Sequence, residues 1–253
     1  MRSTQREDGA DSVLGRATQL LFAFTPQDSA LPLGELARRA HLAKSTAHRL
    51  CATLCEAQML EKTDKGYYLG LRLFEVGALA PRQRGVKEAS ANILADLRSA
   101  TGETVHLAVR DELDVLYLDK LTGSSRGPRL PSRVGGRMPL HCTAVGKALL
   151  AFSRPALLQR VVDDGLRRRT SSTIVLPKFL CEQISEIRRT GIAYEHGEST
   201  PSVVCVACPI LGKDRQAVAA VSIAGWEGRL RVDTVAAAVR TASLVLSRSL
   251  AVA

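Results

Sequence analysis

The side chains best equipped for chemistry are six cysteines, Cys51, Cys55, Cys142, Cys181, Cys205 and Cys208, and the acids and histidines that could work with them. Cys205 and Cys208 form a C-x-x-C inside the apolar stretch VVCVACPI. That stretch holds no histidine, and no second pair stands at zinc-finger spacing, so no metal site is expected. Buried small hydrophobes are the simpler reading of both thiols, with a thiol redox or metal signal kept as the alternative. His141-Cys142, Cys205, Glu195 and Glu198 would make a thiol hydrolase only with nucleophile and base within hydrogen-bond reach. Adjacent residues such as His141 and Cys142 point opposite ways if they lie on a strand. No G-x-S-x-G, phosphate loop or dinucleotide fingerprint is present. The chain is therefore expected not to be an enzyme and to need no cofactor.

Charge offers a second kind of chemistry. From Lys120 to Val162 there is no Asp or Glu, yet Lys120, Arg126, Arg129, Arg133, Arg137, Lys147, Arg154 and Arg160 are present. Arg137 and His141 lead into Thr143-Ala144-Val145-Gly146, read as the first turn of a helix. Small residues there let a ligand approach backbone N–H groups, which favour anions. A carboxylic acid is the expected ligand class. Surface ion pairs account for most of the other arginines, and one or two are expected at the ligand.

A third group points to DNA. Between Glu35 and Glu56 no acid occurs, while Arg38, Arg39, Lys44 and Arg49 do. At 100° per residue, KSTAHRLCATLCEA puts Ala47, Leu50, Cys51 and Leu54 on one face and Ser45, Arg49 and Ala52 on the other, with Thr46, His48 and Thr53 flanking. Small hydrogen-bonding side chains and an arginine suit a helix entering a major groove. Capping of the helix by Ser45 or Thr46 is the competing reading.

Elements must hold these groups in place. VLGRATQLLFAF after Ser12, with Val13, Ala17, Leu20, Leu21 and Phe24 at helical spacing, and LGELARRA with Leu33, Leu36, Ala37 and Ala40 at helical spacing, precede the arginine-bearing helix across the turn HLA. MLEKTDKGYYLG alternates on both sides of Asp64-Lys65-Gly66, a hairpin whose Lys62 and Lys65 reach phosphates or the minor groove. LRLFEVGALA carries Leu71, Phe74 and Ala78 at helical spacing, Pro81 interrupts, and Val86, Ile93, Leu94 and Leu97 resume the stripe; a partner subunit is the natural cover. TVHLAVRD and DVLYLDKL read as an antiparallel pair, SEIRRTGIA as a helix ending at Gly191, VVCVACPI and VAAVSIAG as strands about the turn GKDRQ, and Asp233 as the N-cap of a last helix.

Bulk properties agree with a two-domain globular chain. Its 253 residues are 45% hydrophobic and 24% charged, with net charge +10. That charge supports DNA binding only weakly, because residues 1–80 hold 10 basic against 9 acidic groups. The N-terminus MRSTQREDGADS is no secretory signal and the longest apolar run is too short for a bilayer, so a cytoplasmic protein with reduced thiols and no membrane association is expected.

ELARRAHLAKSTAHRLCATLCEAQMLEKTDKGYYLGLRLFEVG closely resembles the DNA-binding domain of the IclR family of bacterial regulators. The resemblance continues through TGETVHLAVRDELDVLYLDKL, RLPSRVGGRMPLHCTAVGKALLAF, GIAYEHGESTPSVVCVACPI and AAVSIAGWEGRL, over roughly residues 12 to 248. It implies an α+β protein: a winged helix-turn-helix DNA-binding domain over 10–72, a linker helix region over 73–100, and a GAF-like α/β effector-binding domain over 101–253. It also implies dimers, or dimers of dimers, on double-stranded DNA operators, repression more often than activation, and a small organic-acid effector. DNA contacts are expected from Arg38, Lys44, Ser45, Thr46, His48, Arg49, Lys62 and Lys65. Carried over position by position, the family's effector pocket falls on Leu130, Ala144, Val145, Glu195, Cys205, Ser222 and Ala224. Two departures alter it: relatives more often hold Asp or Ser where Glu195 stands, and Ala224 replaces a serine.

Overall fold

Apolar spacing decides which face each helix buries. The computed structural model describes residues 12–123 and 130–252, and the chain divides into two compact units, one running to Pro81 and the other starting at Arg82. Arg126 and Arg129 lie outside the described residues.

The first unit contains α1 (Val13–Phe22), α2 (Leu33–Arg39), α3 (Lys44–Glu56), the hairpin β1 (Leu60–Thr63) and β2 (Gly66–Leu69), and α4 (Leu71–Ala78). Ser12 caps α1, its hydroxyl accepting the Gly15 N–H at 2.9 Å. Leu20, Leu36, Leu50 and Tyr67 belong to one core, and α3 buries Ala47, Leu50, Cys51 and Leu54, the face its angles predict. Val13, at helical spacing with Leu20, is nonetheless 65% exposed. In the hairpin Thr63 opposes Gly66, leaving Asp64 and Lys65 as the turn. Gly66 adopts φ +131°, and a Cβ there would lie 2.4 Å from the Leu31 carbonyl oxygen. That close approach lets Leu31 and Tyr67 exchange backbone hydrogen bonds at 2.7 and 2.8 Å, tying the hairpin to the segment before α2.

The expected linker region is two helices. α4 belongs to the first unit and α5 (Pro81–Thr101) to the second. Pro81 opens α5 rather than only interrupting a stripe, since proline has no N–H to lose at the first helical position.

The second unit is built on a six-stranded antiparallel sheet in the order β5-β4-β3-β8-β7-β6. Its strands are β3 (Thr104–Asp111), β4 (Asp114–Leu121), β5 (Arg137–Pro139), β6 (Ala193–His196), β7 (Val203–Leu211) and β8 (Ala217–Trp226). The helices α6 (Ala144–Ala151), α7 (Pro155–Asp163) and α8 (Pro177–Thr190) bury Leu149, Leu157 and Ile184 in a core on one face. On the other face α5 and α9 (Val232–Val252) contribute Leu94, Leu97, Val239 and Leu246. β7 is apolar on both sides, which is why its sequence runs without alternation. Cys205 joins the first core and Cys208 the second.

α8 ends at Gly191 with φ +74°, as expected. One local reading needs correction. Asp233 lies within the first turn of α9 rather than capping it, where its charge still suits the helix dipole. His141 and Cys142 sit in a 3-10 turn, Leu140–Cys142. Among the described residues no helix is long and apolar enough to cross a membrane.

Every residue of α6 is buried. Thr143 caps it, accepting the Gly146 N–H at 3.1 Å, and a Cβ on Gly146 would lie 2.2 Å from the Leu140 carbonyl oxygen. Gly146→Ala must therefore push the first turn of α6 outward, and is expected to cost about 1–3 kcal/mol. Thermal unfolding checks this; an undisturbed transition would mean the turn has room to spare.

Candidate functional site

The outer side of α3 is polar and largely uncommitted. Lys44, Ser45, His48 and Arg49 are exposed and Thr46 is half-buried. Ala43 is the N-cap of α3 and supplies no side-chain hydrogen bond, so Ser45 and Thr46 are not spent as caps. Lys44 and Arg49 form no ion pair among the described residues. Arg38 differs: it donates twice to Glu35, at 2.8 and 2.7 Å. Arg39 binds both Asp28 and Glu35, each at 2.7 Å. These guanidinium contacts hold both carboxyls well below the usual range. The cationic patch is thus narrower than the acid-free run implied, with Glu35 offsetting Arg38 and Arg39. Lys62 and Lys65 are exposed on the hairpin, the Lys62 ammonium 6.0 Å from the Tyr67 ring centroid.

In the second unit a cavity of about 250 Å³ opens beside the first turn of α6. Small-molecule sites usually fall in the range of about 300–1,000 Å³, so the ligand it fits is small. Leu130, Ala144, Val145, Glu195, Cys205 and Ala224 line it, six of the seven positions carried over from the family pattern. Ser222 does not; it opposes His106 and Ala207 in the sheet, and its buried hydroxyl has no hydrogen-bond partner among the described residues.

Burial sorts the lining into a rim and a floor. Arg133, Arg137 and Arg169 are exposed. Arg137 is already paired with Asp111 and Asp114, whereas Arg133 and Arg169 form no ion pair among the described residues. Deeper in lie Tyr117, His106, Glu195 and Cys205, none more than 8% exposed. Of the remaining cations in the acid-free run, Arg160 faces Glu112 at 3.2 Å, Lys147 binds Glu198, and Lys120 donates to the carbonyls of Leu130 and Ser132 at 2.7 and 2.5 Å. Lys120 thereby holds one wall of the cavity, and His106 holds it again through Ser132 Oγ at 2.7 Å.

Burial sets the protonation of the floor. Glu195 Oε1 accepts the Ser199 N–H and O–H at 3.0 and 3.1 Å. Removal from water outweighs these bonds, and with Glu198 nearby it raises the carboxyl to about 7. Burial, with the Lys120 charge beside it, lowers His106 to about 3, so it is a neutral imidazole. Burial drives the thiols of Cys142, Cys205 and Cys208 upward, leaving them unreactive. Cys205 and Cys208 face opposite cores and cannot share a metal or a disulfide without rebuilding β7. No group of three or more metal-ligating side chains is found among the described residues.

Sequence reasoning missed Tyr117, Arg169 and Ser199. Tyr117 sits on β4 with its ring 5.1 Å from that of His106 and its hydroxyl unbonded among the described residues. Its place in the DVLYLDKL alternation was the one available signal. Arg169 and Ser199 lie in irregular segments, which carry no periodicity to read.

Glu195 generates a stability prediction. Its folded carboxyl binds a proton to about pH 7, against about 4.5 unfolded. The folded state therefore holds more protons in that window, and wild type loses stability as pH rises from 4.5 through 7. Glu195→Gln escapes the loss, so its stability relative to wild type should climb across this range by at most about 3 kcal/mol and then level off. Urea titrations between pH 5 and 8 measure it; parallel curves for the two proteins would rule out a buried, protonated Glu195.

Similarity to known proteins covers both domains. Residues 13–64 match the IclR helix-turn-helix domain, and residues 79–248 match the C-terminal domain of bacterial transcriptional regulator IclR. The chain is 33% identical over 223 residues to the HTH-type transcriptional regulator BhcR of Paracoccus denitrificans, covering 87% of this chain and 79% of that one. It is 29% identical over 238 residues to the transcriptional repressor IclR of Escherichia coli, covering 92% and 86%. Its fold matches an IclR homolog from Microbacterium hydrocarbonoxydans crystallised with 4-hydroxybenzoate, with TM-score 0.87, 25% identity and coverage of 96% and 100%. These relatives are regulators, not enzymes, as expected for this chain. With both domains matched in order, the chain belongs to the IclR family of DNA-binding transcriptional regulators, a helix-turn-helix domain followed by an α/β effector-binding domain.

Proposed function

We propose that this protein represses transcription from specific double-stranded DNA operators and that a small carboxylic acid in the cavity of its second unit modulates that binding. The observation that carries the proposal is the cavity itself. It combines the first turn of a buried helix with two rim arginines that have no carboxylate partner among the described residues, and it has room for a small ligand only. A carboxylate is the group that such N–H donors and guanidiniums hold best. The similar Microbacterium protein was crystallised with one, 4-hydroxybenzoate.

On this reading residues 10–72 bind DNA, 73–100 couple the two functions, and 101–253 bind the effector, in a cytoplasmic protein. The α3 face of Lys44, Ser45, Thr46, His48 and Arg49 enters the major groove. Lys62 and Lys65 contact backbone, and Arg38, tied to Glu35, plays a lesser part. A homo-oligomer is supported by exposed apolar side chains: Leu71, Phe74 and Leu79 in and just after α4 are 67%, 72% and 71% exposed, and Phe22 on α1 is 82% exposed. Such side chains are normally covered, and two-fold symmetry is the commonest way to cover them. The alternative signal, thiol or metal chemistry at Cys205 and Cys208, is not favoured by their placement in separate cores.

Electrophoretic shifts with promoter DNA flanking the gene, repeated with a panel of organic acids, test both halves. One specific complex, weakened or strengthened severalfold by one acid, is expected. Indifference to every acid would move the signal to another chemistry, and no specific complex from folded protein would contradict DNA binding. Arg49→Ala should weaken the operator complex about tenfold or more, the loss of one good base contact, and leave acid binding unchanged.

A further inference from the structure

We propose that the buried ion pair between Lys147 and Glu198 is the positioning element of the effector pocket, holding the first turn of α6, the Glu195 carboxyl group and the Arg169 segment in mutual register; this rests on reading the cavity as the effector site. Neither residue lines the cavity. Lys147 is completely buried, and its Nζ donates to Glu198 Oε1 at 2.6 Å and to Gln183 Oε1, on α8, at 2.8 Å.

The pair is poorly designed as a stabilising device. Both charges are stripped of water, and Glu198 Oε2 has no hydrogen-bond partner among the described residues. Buried pairs of this kind are often no more stabilising than well-packed apolar side chains. What the pair does supply is directional contact among segments distant in sequence. Lys147 stands directly after Ala144, Val145 and Gly146, and its own N–H bonds to the Thr143 carbonyl at 2.9 Å. Glu198 precedes Ser199, whose N–H and O–H fix Glu195. The Glu198 carbonyl accepts from Thr173 Oγ1 at 2.7 Å, and the Gly197 carbonyl from Thr170 Oγ1 at 2.6 Å. Those threonines flank the turn that starts at Arg169, whose Nε reaches the Ser199 carbonyl at 3.5 Å. One side-chain contact thus fixes the anion-facing helix turn, and two backbone carbonyls fix the rim arginine.

Among the described residues, the other charged or titratable groups near the pair are Glu195, His141, Cys142, Cys205 and Arg169. His141 is anchored separately, its Nε2 bonding the Arg167 carbonyl at 3.1 Å. It braces the same segment from the 3-10 turn.

The test separates positioning from stability. Lys147→Met alone leaves Glu198 buried and unpaired, so instability would be uninformative. The double variant K147M/E198L removes both charges and should melt within a few degrees of wild type. Hydrogen–deuterium exchange on the full-length, ligand-free protein should nonetheless quicken at least tenfold at the Gly146, Lys147 and Ser199 amides and remain unchanged in α9. Thr173→Val keeps the ion pair but frees the Arg169 and Thr170 amides and the Glu198 carbonyl together. Exchange should quicken at those two amides and at Ser199, while Gly146 and Lys147, still held by the pair, stay at the wild-type rate. Quickening at Gly146 or Lys147 would contradict the proposal even if the double variant does not fold. Wild-type exchange at Gly146, Lys147 and Ser199 in a folded double variant overturns the proposal. Calorimetry with 4-hydroxybenzoate as probe adds a second reading: at least tenfold weaker binding by the double variant supports positioning, and equal binding contradicts it. Failure of wild type to bind any acid would count against the effector reading, while the exchange result would still judge the role of the pair.

Discussion

Much of this protein follows from one constraint: the sheet of the second unit must be covered on both faces. Its central strands β3 and β8 are buried on both faces along most of their length, so one layer of helices, α6 to α8, lies over the front and another, α5 with α9, over the back. Because α6 is buried along its whole length, the space left at its N-terminal turn is a cavity rather than a surface groove. Side chains that face this space lose their water, which is why Glu195 keeps a proton near neutral pH and why the nearby thiols stay protonated.

The same layering gives the pocket a neighbour across the sheet. On β3, His106 faces the cavity, while Val105 and Leu107 pack in the core that α5 completes with Leu94 and Leu97. α5 is also where the chain passes from one unit to the other. A ligand that prefers one setting of β3 and its partners would therefore bias the seating of α5. Such a bias is the physical content that an allosteric link requires.

How much of this was legible in the sequence depended on periodicity. The α3 face could be read from angles because Ala47, Leu50, Cys51 and Leu54 recur at 3.6-residue spacing, and β3 and β4 could be read from alternation. Glycine 191 declared the end of α8 by its type. Depth was harder. Ser222 and Ala224 share a face of β8, yet only Ala224 reaches the cavity, because alternation gives the face of a strand and not the position along it. Tyr117, Arg169 and Ser199 come from separate segments joined only by the tertiary fold. The pairing of Arg38 with Glu35 follows from three-residue helical spacing, but a charge count along the acid-free run hides it, because the acid stands just outside the run, one helical turn before Arg38.

The central claim is that the effector pocket and the DNA-reading face are coupled in one molecule, and coupling is reciprocal. Once an active acid is identified, its affinity should be measured by titration calorimetry with and without saturating operator DNA. The account predicts that operator shifts acid affinity by the same factor, and in the same sense, as the acid shifts operator affinity. An acid affinity indifferent to operator, in protein that binds both, would contradict it.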